Sequence, residues 1–289
     1  MREFVLVSDS TGDLPIDIIK KLDIKIIPFS YSIDNDIYYY RLDETDGDIA
    51  DFYNKLRDGA MPVTSQINPN TYKEAFEEII KSGKDVLYVG FTSGLSGAFQ
   101  SSVLGADMVL DKYPEAKIVC VDSLCASVGQ GAILYYVAKM KEEGADIATI
   151  EQWIIDNRTK IRHWFMVEDL FHLSRGGRLS AVGAVVGSAL KIKPILSVDE
   201  EGKLVVKSKA RGTGKALDYL ISKAIEEGGD LENQVAVIGH ADDIAKAERL
   251  KASVMEAGMK EENIFITPIG PIIGTHVGAG MAAIAFLMK

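Results

Sequence analysis

Residues 4–15 read FVLVSDSTGDLP, and this stretch decides how the first half of the chain folds. Four apolar residues lead into Ser8, which predicts a buried strand over Phe4 to Ser8 that ends in small polar residues. Asp13 is placed to cap a following helix, with Pro15 in its first turn. Short β-branched runs alternate with longer amphipathic stretches up to about residue 160. This alternation is typical of a parallel sheet covered by helices.

The further elements of this half follow from the same reading. We expect strands at Lys25 to Tyr31, Val86 to Phe91 and Lys117 to Asp122, and helices at Gly97 to Tyr113, Gly129 to Glu143 and Ile147 to Lys160. Residues 34–60 are polar and rich in tyrosine, which indicates a small lobe with a hairpin and a helix.

After residue 160 the pattern changes to strands joined by tight turns. We expect an apolar segment at Phe165 to Val167, an Arg-Gly-Gly-Arg turn at 175–178, a small-residue helix at Ser180 to Leu190, a hairpin at Pro194 to Val206, a strand at Gln234 to Gly239, and helices at Gly214 to Glu227 and Asp242 to Ala257. The chain is therefore predicted to be α/β, with an N-terminal parallel-sheet α/β domain at 1–160 and a C-terminal α+β domain at 161–289.

Residues 263–288 contain no Asp, Glu, Lys or Arg, and His276 is their only titratable side chain. About 20 apolar residues are needed to cross a bilayer, but prolines and glycines interrupt this stretch, so we expect no transmembrane segment. We predict a buried strand at Ile264 to Thr267, a turn at Pro268 to Gly280 that carries His276, and a final core helix at Met281 to Met288 near the domain interface.

Composition excludes several classes of function. The net charge is −10 and no basic run is present, so we expect no nucleic-acid partner. The apolar run at the N-terminus is too short for a signal peptide, which favours a cytoplasmic protein. The four histidines are scattered and the pair Cys120 and Cys125 has no further ligands nearby, so we expect no metal and two buried thiols. No nucleotide-binding loop is found either.

Hydroxyl side chains gather where the predicted parallel strands end, which is where ligands bind in open α/β sheets. The sharpest of these segments is Thr92 to Gly97, because Ser96 and Gly97 open a helix whose free N–H groups favour an anion such as a carboxylate. A serine nucleophile is the rival interpretation, with Ser96 or Ser93 acting on an acyl ester and His276 as the base. The second glycine of the usual G-x-S-x-G turn is missing here.

Six motifs, taken in order, resemble the DegV family over the whole chain. They are SDS at 8–10 with DLP at 13–15, TSQ at 64–66, TSGLSG at 92–97, VDS at 121–123, LSRGGRL at 173–179 and GTHVG at 274–278. The resemblance implies a pocket between the two domains that binds one long-chain fatty acid. It further implies that the protein presents the carboxylate to a separate ATP-dependent fatty acid kinase, which makes an acyl phosphate.

The resemblance also assigns roles to single residues. Thr64, Ser96 with its neighbour Ser93, and His276 would hold the carboxylate, supported by Arg211, while Arg175 and Arg178 would contact the kinase. Because a nucleotide loop and magnesium carboxylates are absent from the sequence, we expect a carrier without a cofactor rather than an enzyme. A purely regulatory fatty-acid binder remains open beside the carrier and the serine hydrolase.

Overall fold

The structure is a computed structural model that describes residues 2–41, 46–179 and 191–289. The first half contains, in chain order, β1 (Phe4–Asp9), α1 (Ile16–Lys21), β2 (Ile24–Ile27), β3 (Phe29–Ile33), β4 (Asp36–Tyr40), α2 (Asp46–Arg57), β5 (Val63–Ser65), α3 (Pro69–Lys81), β6 (Asp85–Gly90), α4 (Ala98–Leu110), β7 (Ile118–Asp122), α5 (Ser127–Glu142) and α6 (Ile147–Asn157). The second half contains β8 (Ile161–Met166), α7 (Phe171–Arg175), β9 (Ile192–Val198), β10 (Leu204–Arg211), α8 (Thr213–Glu227), β11 (Ala236–His240), α9 (Ile244–Glu256), β12 (Ile264–Pro268), α10 (Pro271–Val277) and β13 (Ala282–Leu287).

The N-terminal sheet has four parallel strands in the order β2-β1-β6-β7. Strand β6 is buried along its whole length, as expected for a central parallel strand with both faces covered. The predicted α/β class is thus confirmed. The stretch from Lys25 to Tyr31 is two strands rather than one, because the chain leaves this sheet at Pro28, which has no N–H to donate to a ladder.

The polar lobe is built on a second, antiparallel sheet of three strands in the order β4-β3-β5. Tyr31 of β3 pairs with Tyr38 on one side and with Thr64 on the other, so these three side chains share one face of the sheet. The Tyr31 ring stacks on Tyr38 at 5.1 Å and meets Phe52 of α2 edge-on at 5.4 Å. The lobe therefore holds Thr64 on its inner, aromatic face.

The C-terminal sheet has six strands in the order β10-β9-β8-β13-β11-β12, and every pair is antiparallel except β11 with β12. Helices α8 and α9 cover one face, where Leu217, Leu220 and Leu250 belong to a separate core cluster. Helix α5 covers the other face and contacts β8, β11 and β13. Its residues 127–134 are all buried, so α5 lies between the two large sheets.

The prediction of a final helix at Met281 to Met288 was wrong, because residues 282–287 form β13 in the middle of this sheet. Ile284 and Phe286 pack on the face covered by α8 and α9, whereas Ala283 and Ala285 pack on the opposite face. Both faces are buried, so the strand carries no alternation of polar and apolar residues. An apolar run of this length cannot be told from a buried helix by periodicity.

Residues 268–280, predicted as a turn, contain the short helix α10, which begins at Pro271 and ends at Gly278 with φ +76°. His276 lies in its last turn. The small-residue helix expected at Ser180 to Leu190 falls outside the described residues. No helix within the described ranges is long and apolar enough to cross a bilayer.

Candidate functional site

An apolar cavity lies between the N-terminal loops and the C-terminal sheet. Its walls come from the loop after β6, the start of α5, strands β8, β9, β10 and β13, and helices α7 and α10. The lining residues are Phe91, Leu95, Ala126, Ser127, Val128, His163, Phe165, Leu173, Arg178, Val198, Leu204, Ile273, His276, Val277, Met281 and Ala283. Most of these side chains are hydrocarbon, so the cavity suits an apolar ligand with few polar groups.

The polar part of this wall is built around His276. Its Nε2 lies 2.9 Å from the Thr64 hydroxyl, although the two residues are 212 positions apart in the chain. Thr64 lies on β5, on the inner face of the three-stranded sheet, and His276 lies on α10. The structure therefore brings together two of the residues that the sequence predicted for a carboxylate site.

His276 is neutral at physiological pH. Burial is the main cause that lowers its pKa, to about 4, and the nearby charges of Arg178, Arg175 and His172 lower it further. A neutral imidazole and a hydroxyl can each donate one hydrogen bond to an oxygen, while the two guanidinium groups add positive potential. This combination favours an anionic head group without a direct ion pair.

Two glycines allow the close packing around His276. A Cβ at Gly176, the residue after α7, would lie 2.3 Å from His276 Nδ1. A Cβ at Gly274 on α10 would lie 2.6 Å from the hydroxyl of Tyr53 and 2.8 Å from the ring of Phe52. The imidazole is therefore held between α7 and Thr64, and its own helix is held against α2.

The two arginines of the Arg-Gly-Gly-Arg turn flank this end of the cavity. Arg175 is exposed, and its Nη2 donates to the carbonyl of Pro62, two residues before Thr64, at 3.1 Å. Arg178 is half-buried, lines the cavity and donates to the carbonyl of Gly176 at 2.6 Å. The turn predicted as a partner contact thus lies directly beside the predicted carboxylate site.

The hydrogen bonds of Ser96 and Ser93 in the described structure go to groups other than His276. Ser96 is half-buried and its Oγ accepts the N–H of Ala98 at 3.2 Å, which caps α4 in part. Ser93 is exposed, and its backbone N–H faces the Asp122 carboxylate at 3.3 Å.

Arg211 is exposed and is the last residue of β10. It lies seven residues beyond Leu204, about 24 Å along the strand at ~3.4 Å per residue. Arg211 is not among the residues that line the cavity in this structure.

The geometry does not favour the serine hydrolase. Within the described parts of the chain, His276 bonds Thr64 rather than Ser93 or Ser96, and its Nδ1 has no hydrogen-bond partner. A catalytic base needs its second nitrogen oriented by another group. Nor is any cluster of three or more His, Cys, Asp or Glu side chains arranged to hold a metal ion among the described residues.

The roles of two buried polar residues were not predicted from the sequence, one on the cavity wall and one bonded to the cavity residue Ser127. His163 of β8 is buried against α5, where a Cβ at Gly129 would lie 1.7 Å from its Nε2, and burial lowers its pKa to about 4. Asp13 does not cap α1, whose first turn has no side-chain cap. It is buried and accepts hydrogen bonds from Ser127 Oγ at 2.6 Å and Gly270 N at 3.0 Å.

The chain is similar to known proteins in both sequence and structure. The family model described as "Uncharacterised protein, DegV family" matches residues 3–289. A DegV domain-containing protein of Clostridium perfringens is 41% identical over 289 residues, covering 99% of this chain and 98% of the relative.

Two solved structures share the whole fold. A fatty acid binding DegV family protein from Streptococcus agalactiae is 30% identical with a TM-score of 0.86, and each chain is covered to 100%. A DegV family protein from Thermus thermophilus, solved for its fatty acid binding, is 27% identical with a TM-score of 0.88 and the same coverage. The protein described here therefore belongs to the DegV family.

Proposed function

We propose that this protein binds one long-chain fatty acid, with the acyl chain in the apolar cavity and the carboxylate at Thr64 and His276. The observation that carries the proposal is the contact of His276 Nε2 with the Thr64 hydroxyl at the wall of a cavity lined mainly by hydrocarbon. The fatty acid binding of the related Streptococcus agalactiae and Thermus thermophilus proteins supports it.

The acyl chain supplies the affinity. At about 0.8 kcal/mol per buried CH₂, some twelve methylenes contribute on the order of 10 kcal/mol before the costs of association. The cavity volume is about 60 Å³, so the apolar side chains around it must move apart to admit a long chain. The hydroxyl and imidazole then need only fix the head group.

Mass spectrometry of the intact protein under native conditions tests this function. We expect a co-purified mass corresponding to a C14 to C18 fatty acid, and a lower occupancy of that lipid in His276→Ala. Protein that stays empty after exposure to such fatty acids would overturn the proposal. The identity of the released lipid also defines chain length and saturation.

We further propose that the bound carboxylate is presented to a separate ATP-dependent kinase, which forms an acyl phosphate. Arg175 supports this step because it is exposed beside the carboxylate site and can pair with an acidic partner surface. Since ATP is the phosphate donor, we place this activity in the cytoplasm. The protein itself is then a carrier and not the catalyst.

The docking step is tested by phosphoryl transfer with a cognate kinase. Arg175→Ala should slow transfer while fatty-acid affinity stays within about threefold of wild type. The matched control is Arg249→Ala on α9, an exposed arginine paired with Asp218 at 2.5 Å, which should leave transfer unchanged. Equal rates for both variants would remove Arg175 from the interface. A fatty acid that is bound but never phosphorylated would instead favour the regulatory binder.

A further inference from the structure

Asp13 is a buried ionisable group that, among the described residues, has no cationic partner and caps no helix. Its side chain is 2% exposed. Oδ2 accepts from the Ser127 hydroxyl and Oδ1 from the backbone N–H of Gly270. The first donor opens α5 and the second directly precedes α10. One carboxylate thus joins two helices that are far apart in sequence.

Both of these helices line the cavity. Ser127 and Val128 contribute from α5, and Ile273, His276 and Val277 contribute from α10. The distance between α5 and α10 therefore affects both the width of the apolar cavity and the position of the His276 imidazole.

We propose that Asp13 is a positioning residue of this site. By accepting from Ser127 and Gly270 together, its ionised carboxylate fixes α5 and α10 relative to each other and preorganises the cavity for a fatty acid. This proposal rests on the proposed function.

The surroundings of Asp13 indicate that its charge has a role beyond stability. Burial raises the pKa of Asp13 to about 7, while the hydrogen bonds from Ser127 and Gly270 lower it. The pKa of Asp13 in the folded protein lies above the usual value of 3.8, so the native state binds more protons than the unfolded state between about pH 4 and 7. Stability is therefore lost as pH rises through this window, and the ionised group is costly to the fold near neutral pH.

Few other charges face Asp13. The Tyr53 phenol of α2 donates to Ile269 O at 2.8 Å, and burial raises its pKa well above the usual value, so it stays neutral. Arg57 and Asp242 lie near Tyr53 and pair with each other at 2.5 Å.

The remaining neighbours form no hydrogen bond to the Asp13 side chain within the described residues. Tyr40 lies against Gly270 through its ring. Asp9, the last residue of β1, is a second carboxylate and accepts from Tyr88 OH at 2.7 Å and Phe91 N at 3.0 Å. Burial lowers the pKa of His276 most, followed by Arg178, Arg175 and His172, and Asp13 is not among the causes. Asp13 thus acts on the head-group site through its hydrogen bonds.

The test compares Asp13→Asn with wild type at pH 6.0 and pH 8.5, using displacement of a fluorescent fatty acid. The ratio of the two dissociation constants cancels the titration of the ligand itself. We expect a ratio close to 1 at pH 6.0, where Asp13 is mostly protonated. At pH 8.5 we expect the variant to bind about fivefold more weakly, as for the loss of one net hydrogen bond. The control, Asp17→Asn on the exposed face of α1, should give a ratio of 1 throughout.

A second readout separates positioning from a merely structural role. Asp13→Asn should melt at a temperature equal to or above that of wild type at pH 8.5, because it removes a buried charge. A variant that is less stable at both pH values, with a binding ratio independent of pH, would overturn the proposal. If Asp13→Asn fails to fold, Ser127→Ala takes its place. Fatty-acid binding by Ser127→Ala should have a higher pH midpoint than binding by wild type, because the Ser127 hydroxyl stabilises the ionised form of Asp13. An unshifted midpoint would equally refute it.

A measurement without ligand keeps this proposal distinct from the proposed function. Amide hydrogen exchange at pH 8.5 should be faster in residues 271–277 of Asp13→Asn than in wild type, with α8 unchanged. Wild-type protein that binds no fatty acid refutes the proposed function. Equal protection of residues 271–277 refutes the role of Asp13.

Discussion

Replacing Gly176 with alanine would displace the imidazole at the centre of the proposed site. Gly176 has φ −73°, so alanine fits its backbone conformation without strain. The added Cβ would lie 2.3 Å from His276 Nδ1 and 3.0 Å from its Cε1, whereas ordinary contact begins at 3.4 Å. The ring must therefore retreat by about 1 Å from α7.

This displacement sets the size of the expected effect. Overpacking a filled site costs about 1–3 kcal/mol of stability. Because the imidazole lies between α7 and Thr64, a retreat of about 1 Å from α7 cannot preserve the 2.9 Å hydrogen bond between His276 Nε2 and the Thr64 hydroxyl. Loss of one such bond at the head group corresponds to about 1–2 kcal/mol, so fatty-acid affinity should fall by about 5- to 30-fold.

Fatty-acid titration by calorimetry and urea unfolding measure the two effects separately. The control is Gly214→Ala in α8, where the nearest atom to the new Cβ is Arg249 Nη1 at 3.6 Å. That change should stabilise the protein by up to about 1 kcal/mol through helix propensity and leave binding unchanged. Binding by Gly176→Ala within twofold of wild type would show that the imidazole is not confined between α7 and Thr64.

Three further changes test other parts of the structure. Thr64→Val should weaken fatty-acid binding, measured by calorimetry, by about fivefold or more because it removes the hydroxyl beside His276. Thr64→Ser should restore the affinity, and equal affinities for Thr64→Val and wild type would exclude the hydroxyl from the site. Phe286→Ala should lower the free energy of unfolding by about 3–5 kcal/mol in urea, because this side chain is fully buried, and a change below about 1 kcal/mol would argue against a central strand. The Cys125 thiol should resist a disulfide reagent at pH 8 until the protein is unfolded, since burial raises its pKa well above 9.0; rapid labelling of the native protein would contradict that burial.

The parallel sheet was predictable because its signals are local. Each strand is a short apolar run that ends in polar residues, and strand β1 is found within one residue of the predicted bounds. The secondary structure of residues 282–287 was not predictable in this way. A strand buried on both faces has no alternation of polar and apolar residues, and this alternation is what distinguishes a strand from a helix in sequence. Only its pairing with β8 and β11 resolves the choice.

In the candidate site too, contacts between residues far apart in the chain could not be predicted from local sequence. Thr64 and His276 were assigned to the carboxylate site because their TSQ and GTHVG motifs resemble those of the DegV family. Asp13 was assigned to a cap because its local neighbours fit one. Its actual donors, Ser127 and Gly270, lie 114 and 257 residues away, and no local pattern encodes such a pairing.

The protonation state of His276 bears on whether the site retains a carboxylate or presents it. A protonated imidazole would form a charge-assisted hydrogen bond, which is about twice as strong as a neutral one and withdraws charge from the oxygen. With a pKa of about 4, His276 donates only as a neutral group near pH 7. Arg175 is meanwhile directed to the carbonyl of Pro62. The carboxylate would then keep most of its negative charge on an oxygen held in place by weak donors, which is what nucleophilic attack on a phosphoryl group requires.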